Sequence, residues 1–145
     1  MYNYEINLTW NHDRKGTVSS PVLNEVVEVA TPPEFPKGMP GIWSPEHLFV
    51  ASVSSCLMTT FLAVAENSKL SFQQFSCNAI GTLEKVDGKM MISTITLYPE
   101  VVIEDAGQEE KALRILTMSE KACLISNSVA SKVVMEAKVV VSVPV

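Results

Sequence analysis

The sequence predicts an α+β fold, with antiparallel strands paired mostly as hairpins around two long helices. Three observations lead there. Apolar residues alternate at period two near the start, in the middle and at the end of the chain. Two intervening stretches carry an acidic first turn and run on for helical lengths. Turn-forming residues separate the strand-like runs. A chain of 145 residues is long enough for one domain with a real core and too short for two comfortable ones. Residues 1–145 are therefore expected to form a single domain.

Tyr2, Tyr4, Ile6, Leu8 and Trp10 alternate along residues 2–10, the pattern of a half-buried strand. NHDRKG breaks it and puts His12, Asp13 and Arg14 in a turn. TVSS and LNEVVEVA read as a second and third strand, completing an antiparallel meander. TPPEFPKGMPGIW follows, with four prolines and two glycines that exclude regular structure. Long ordered loops are commonly lids or pocket walls. Phe35, Met39, Ile42 and Trp43 would either line an apolar cavity or fold back as a satellite of the core.

Ser44, Pro45 and Glu46 mark a helix start: a capping hydroxyl, proline at the first helical position and an acid near the positive end of the dipole. The helix should run from about residue 45 to 66. Its apolar residues surround the axis, which predicts burial on most sides. Residues 48–65 carry no charge and touch the lower edge of a bilayer-spanning length. Five Ser/Thr residues, acidic flanks at Glu46 and Glu66 and the lack of a basic cluster argue for a core helix instead.

From Phe75 to Val86 the strand pattern returns, and VDGK supplies a hairpin turn before MMISTITLYPEVVIE. Gly107 ends that ribbon. QEEKALRILTMSEKACLISNSVASK predicts a second helix with Leu113, Leu116 and Cys123 on or near one face. MEAKVVVSVPV closes as a strand in which Met135, Ala137, Val139, Val141 and Val143 alternate with polar or exposed positions. Six strands and a helix that is apolar all round do not close neatly in one subunit. Packing two copies of that helix across a two-fold axis would cover it.

Composition points the same way. The chain is 47% hydrophobic and only 19% charged, so few charges are available to cover a monomer's surface. A net charge of −5 with no local Lys/Arg cluster opposes a nucleic acid or an anionic membrane as partner. The first ten residues lack the basic region and apolar run of a signal peptide. Three cysteines cannot all pair within the chain, and a reducing cytoplasm is the expected location. Their spacing, taken with His12 and His47, matches no metal motif, and no cofactor is implied.

Cys56 lies about three turns inside the first helix, beyond the reach of the helix dipole. No basic residue is near it on that helix. An activating group for its thiol must come from elsewhere in the fold, and otherwise the residue is a small hydrophobe. Cys123 lies in the middle of the second predicted helix, again among small residues. Two packed helices could bring these sulfurs together, although spacing alone does not establish it. Cys77, in FSCNAIG, reads as core.

SPEHLFVASVSSCLMTTF resembles the helix of the family named for osmotically inducible protein C and organic hydroperoxide resistance protein (OsmC/Ohr). There, a Pro-Glu entry precedes a cysteine ten residues after the Glu. ACLISNS is similar to that family's second cysteine segment, although the family often has proline where this chain has Leu124. The order of strands and helices agrees over nearly the full chain.

The resemblance implies an OsmC-like intertwined homodimer that acts as a thiol peroxidase on organic hydroperoxides. It implies a peroxidatic role for Cys56 and a resolving role for Cys123, joined as a disulfide during turnover. Arg14, in a loop like the family's arginine loop, would stabilise the thiolate and the departing oxygen. Glu46 would clamp that guanidinium. His12 shares the loop but reads as a solvated turn residue. Ten helical residues span about 15 Å, so Glu46 cannot touch Cys56 of its own straight helix. It would act through Arg14 or from the partner subunit. An external dithiol, such as a lipoylated protein, would be the reductant. The apolar loop would favour bulky alkyl hydroperoxides. A non-catalytic relative that binds an apolar small molecule in the dimer cavity is the alternative reading.

Overall fold

The computed structural model describes residues 1–142, so the expected position of Val143 in the last strand lies outside the described residues. The chain divides into two compact units, Met1–Phe49 and Val50–Val145.

In the first unit, β1 (Asn7–His12), β2 (Lys15–Ser19) and β3 (Val27–Ala30) form an antiparallel sheet in that order. The meander is as expected, but the first strand starts at Asn7 rather than Tyr2. Its large side chains are exposed rather than half-buried, with Trp10 at 74%. The physical reason is position: among the described residues β1 pairs with β2 alone, at the sheet's edge, and both of its faces are exposed, so its side chains have no layer to pack against. Asp13 takes a left-handed conformation (φ 49°) in the connecting turn, and the Trp10 indole N–H donates to its carbonyl at 3.0 Å.

The proline-rich segment has no helix or strand and is nevertheless tied down by its backbone. The Met39 N–H donates to Thr31 O at 2.9 Å, Gly38 N–H to Phe35 O at 3.0 Å and Ala30 N–H to Trp43 O at 2.8 Å. A Cβ at Gly38 would collide with the Pro32 backbone, so the fold-back requires glycine there. Phe35, Met39 and Ile42 are half-buried, whereas Trp43 is exposed.

α1 (Pro45–Asn67) starts as expected, with the Ser44 hydroxyl accepting from His47 N–H at 3.1 Å. Its burial differs from the expectation. Only a stripe at helical spacing (Val53, Leu57, Phe61 and Ala65, with Cys56 beside it) is buried, while Met58 and Leu62 are 40% and 42% exposed. By length and composition this helix could cross a bilayer, yet the stripe is packed into protein. It meets Val101 and Ile103 of the second sheet and Ala112, Ile115 and Leu116 of the second helix. Phe61 anchors this core, its ring centroid 5.1 Å from Phe72 and 4.9 Å from Phe75.

β4 (Gln74–Val86) and β5 (Lys89–Ile103) form a long antiparallel hairpin. Asp87 (φ 48°) and Gly88 (φ 81°) turn it with the left-handed pair that suits strand twist. β4 passes so close to α1 that a Cβ at Gly81 would strike the Val50 side chain.

α2 (Glu109–Ala122) is shorter than expected and stops before Cys123, which is not in mid-helix. Ile125, Ser126, Asn127 and Ser128 explain the stop, because β-branched and short polar side chains favour turns. The Ser128 hydroxyl donates to Leu124 O at 2.8 Å within a 3-10 turn over Ser126–Ser128. Leu113, expected on the buried face, is 38% exposed.

The last strand departs from the hairpin expectation. It comes as two pieces, β6 (Lys132–Met135) and β7 (Lys138–Val141), so the strands number seven rather than six. Both pair with β5 in parallel, because α2 carries the chain back before they begin. They keep one register, Thr94 opposite Lys132 and Glu100 opposite Lys138. The gap lies opposite Tyr98 and Pro99, where proline has no N–H to give to the ladder. Met135, Ala137, Val139 and Val141 pack against the core, as their alternation predicted.

Candidate active site

Cys56 lies within α1 and Cys123 is the residue that caps the end of α2. Both are free thiols in the second unit, 8% and 1% exposed. Cys123 leaves the helix in an extended conformation (φ −67°, ψ 110°). The two side chains are near enough for each to act on the other's ionisation.

The two thiols are pushed in opposite directions. Burial raises Cys56, but the Cys123 thiol, the Ile125 amide, the Thr60 hydroxyl and the Leu124 amide together outweigh it, leaving Cys56 below the ordinary thiol range. Thr60 Oγ1 lies 3.9 Å from the Cys56 sulfur. Burial also raises Cys123, and donation to Cys56 raises it further. The Ser126 side chain and amide pull it down, the Cys56 charge opposes them, and the net shift is upward. Cys56 is thus the more acidic thiol of the pair and Cys123 the less acidic. Most of the support for Cys56 comes from Cys123 and the two residues after it, with Thr60 the contribution of its own helix.

Arg14 lies in the turn between β1 and β2, and its carbonyl accepts from Thr31 N–H at 3.2 Å. It borders an apolar cleft of about 230 Å³ lined by Leu8, Trp10, Val29 and Ala30, with Lys15 nearby. Lys15 is engaged with Glu28 at 3.2 Å. Glu46, in the first turn of α1, is half-buried, and the expected Arg14–Glu46 ion pair is not formed among the described residues. His12 is exposed with Nδ1 2.9 Å from Asp13 Oδ2, as befits a solvated turn residue. His47 Nδ1 lies 2.6 Å from the Ser44 hydroxyl.

Cys77 is half-buried rather than core, its sulfur 3.6 Å from Asn78 O beside a small cleft with Ser54, Ser55 and Met58. Burial raises its thiol. Among the described residues no group of three His, Cys, Asp or Glu side chains is placed to hold a metal ion.

Sequence reasoning missed Thr60, Ser126 and the amides of Leu124 and Ile125. Thr60 was within reach, since it sits one helical turn after Cys56 on the same face. Backbone amides leave no mark in a sequence, and their role appears only once the turn is folded.

A buried helix-borne cysteine with a lowered thiol, and a second buried cysteine from the end of another helix acting on it, define an α+β protein built around a thiol pair. The chain belongs to the OsmC-like family, whose model matches residues 38–138. Among solved structures, an OsmC-like protein of unknown function from Vibrio cholerae is 25% identical, with a TM-score of 0.83 over 94% of this chain and 99% of that one. An organic hydroperoxide resistance protein OsmC from Legionella pneumophila is 21% identical, with a TM-score of 0.75 over 97% and 98% of the two chains. An organic hydroperoxide resistance protein from Elizabethkingia anophelis is 19% identical, with a TM-score of 0.77 and 98% coverage of each chain. No match is found among curated protein sequences.

Proposed function

We propose that this protein is a thiol-dependent peroxidase that reduces organic hydroperoxides to alcohols. The observation that carries the reading is the buried Cys56–Cys123 pair with opposed thiol shifts, Cys56 toward the nucleophilic form and Cys123 away from it. The names of the solved structures from Legionella pneumophila and Elizabethkingia anophelis support the same substrate class.

The Cys56 thiolate attacks the terminal oxygen of RO–OH. An S–O bond forms, the O–O bond breaks, and the alkoxide leaves as alcohol after protonation. Cys56 is then a sulfenic acid, and Cys123 displaces its hydroxyl as water to form the disulfide. An external dithiol restores both thiols. Arg14 is assigned to the developing charge on the departing oxygen, a role suited to a planar guanidinium.

Glu46 is assigned to orient Arg14. Because the two do not pair within the described chain, we assign their meeting to a homodimer. Its interface would cover Met58 and Leu62 of α1 and the open edge of β1, all of which the single chain leaves exposed.

The test combines an alkyl hydroperoxide, a dithiol and a sulfenic-acid probe. Wild type should consume hydroperoxide with only transient label at Cys56, and the label should persist when Cys123 is replaced by serine. Absence of turnover with every dithiol, including a lipoylated protein, would leave the apolar-ligand alternative in its place.

A further inference from the structure

Ser126 has a buried hydroxyl with no hydrogen-bond partner among the described residues. Such groups are uncommon, because a buried donor left unpaired loses its hydration without recompense. Its surroundings show what it faces. The 3-10 turn over Ser126–Ser128 folds back on Cys123: the Asn127 N–H donates to Cys123 O at 3.1 Å and the Ser128 N–H to Ile125 O at 2.9 Å. Ser126 is three residues from Cys123 in this turn, and its side chain and amide both favour the ionised form of the Cys123 thiol.

We propose that Ser126 is a catalytic hydrogen-bond donor reserved for the second chemical step, idle while Cys123 is a thiol and donating to its sulfur as the Cys56–Cys123 disulfide forms. The inference rests on the peroxidase reading for the step it serves. In the resting protein Cys123 keeps its proton and acts as donor toward Cys56, and ionisation of Cys56 opposes a second ionisation at Cys123. Once Cys56 is a sulfenic acid that charge is gone, and Cys123 must itself become nucleophilic. The Cys123 sulfur bonds to the Cys56 sulfur, the S–O bond breaks, and the departing hydroxide takes the thiol proton as water. No further oxidant or reductant enters. The Ser126 O–H stabilises the charge that passes through the Cys123 sulfur during this exchange.

The experiment compares wild type with Ser126→Ala and Ser126→Thr. With an alkyl hydroperoxide, sulfenic acid should form in Ser126→Ala within about two-fold of the wild-type rate, which also reports that the variant is folded. Its conversion to disulfide should slow by about ten-fold, the loss of one hydrogen bond to a charged group, with its pH midpoint displaced upward. Threonine should restore both. An unchanged rate and midpoint of disulfide formation, or an equal slowing of both steps, overturns the proposal.

A second readout needs no hydroperoxide. In a Cys56→Ser, Cys77→Ser background, thiolate absorbance reports Cys123 alone, and adding Ser126→Ala should move its midpoint to higher pH. If wild type consumes no hydroperoxide, the peroxidase reading fails. The midpoint then still decides whether Ser126 donates to Cys123, and no displacement overturns that.

Discussion

Two cysteine segments of this protein shift the same side chain in opposite directions. In α1, Cys56 is surrounded by regular helix whose backbone groups are occupied, so apart from the Thr60 hydroxyl its help comes from outside. Past the end of α2, the chain stops being helical at Cys123 and leaves the Leu124 and Ile125 amides free to point at the other sulfur. A helix interior can hold a thiol in place, and a helix end can supply donors. Cys77 is the internal control, on a strand with burial and little else, and its thiol is raised. Burial is common to all three, so the direction of each shift is decided by which donors face the sulfur.

The sharpest way to break this comparison is to remove its members. Cys56→Ser should lower hydroperoxide turnover on the order of 10³-fold or more, as loss of a nucleophile does, measured by peroxide consumption. Cys123→Ser should let the Cys56 sulfenic acid persist and be over-oxidised, visible by mass spectrometry. Replacing that thiol also changes the chief donor to Cys56, so the Cys56 midpoint should move in a thiolate titration.

Smaller changes refine the comparison. Thr60→Val keeps the shape and removes a long contact of 3.9 Å. The Cys56 midpoint should rise by about half a pH unit, under 1 kcal/mol. Leu124→Pro, which restores the residue often found in the family, deletes one amide donor and should raise the midpoint by a few tenths of a unit or less. In wild type, alkylation at neutral pH should reach Cys56 before Cys77, because only Cys56 is shifted toward the thiolate.

The smallest expected effect is on stability. Cys77 and Cys123 are raised acids, so the folded state disfavours their ionisation and stability should fall as pH rises past the unfolded thiol value of about 8.5. Cys56 has the opposite sign. Its lowered value stabilises the fold above the unfolded thiol range, and that part is lost as pH falls through the folded value. Urea midpoints of the single Cys→Ser variants across this range check both signs.

Most element types were legible from local chemistry. The Ser44-Pro45-Glu46 start, the Asp87-Gly88 turn and the period-two runs each state their conformation within a few residues. The end of α2 was misread because Leu113 to Cys123 suggested a continuing face, while Ile125 to Ser128 already favoured a turn. One side of α1 is open in the single chain, because composition records that a residue is apolar, not which neighbour arrives to cover it.

The candidate site divides in the same way. The identities of Cys56, Cys123, Arg14 and Glu46 were open to motif resemblance, since side-chain chemistry and order along the chain are written in the residues. That two cysteines distant in sequence are buried within reach of each other, that peptide N–H groups after α2 lower one thiol, and that the last strand runs parallel to β5 came only with folding. Local preference reaches across a few residues, whereas the state of a buried acid is set by whatever the rest of the chain brings within a few ångströms.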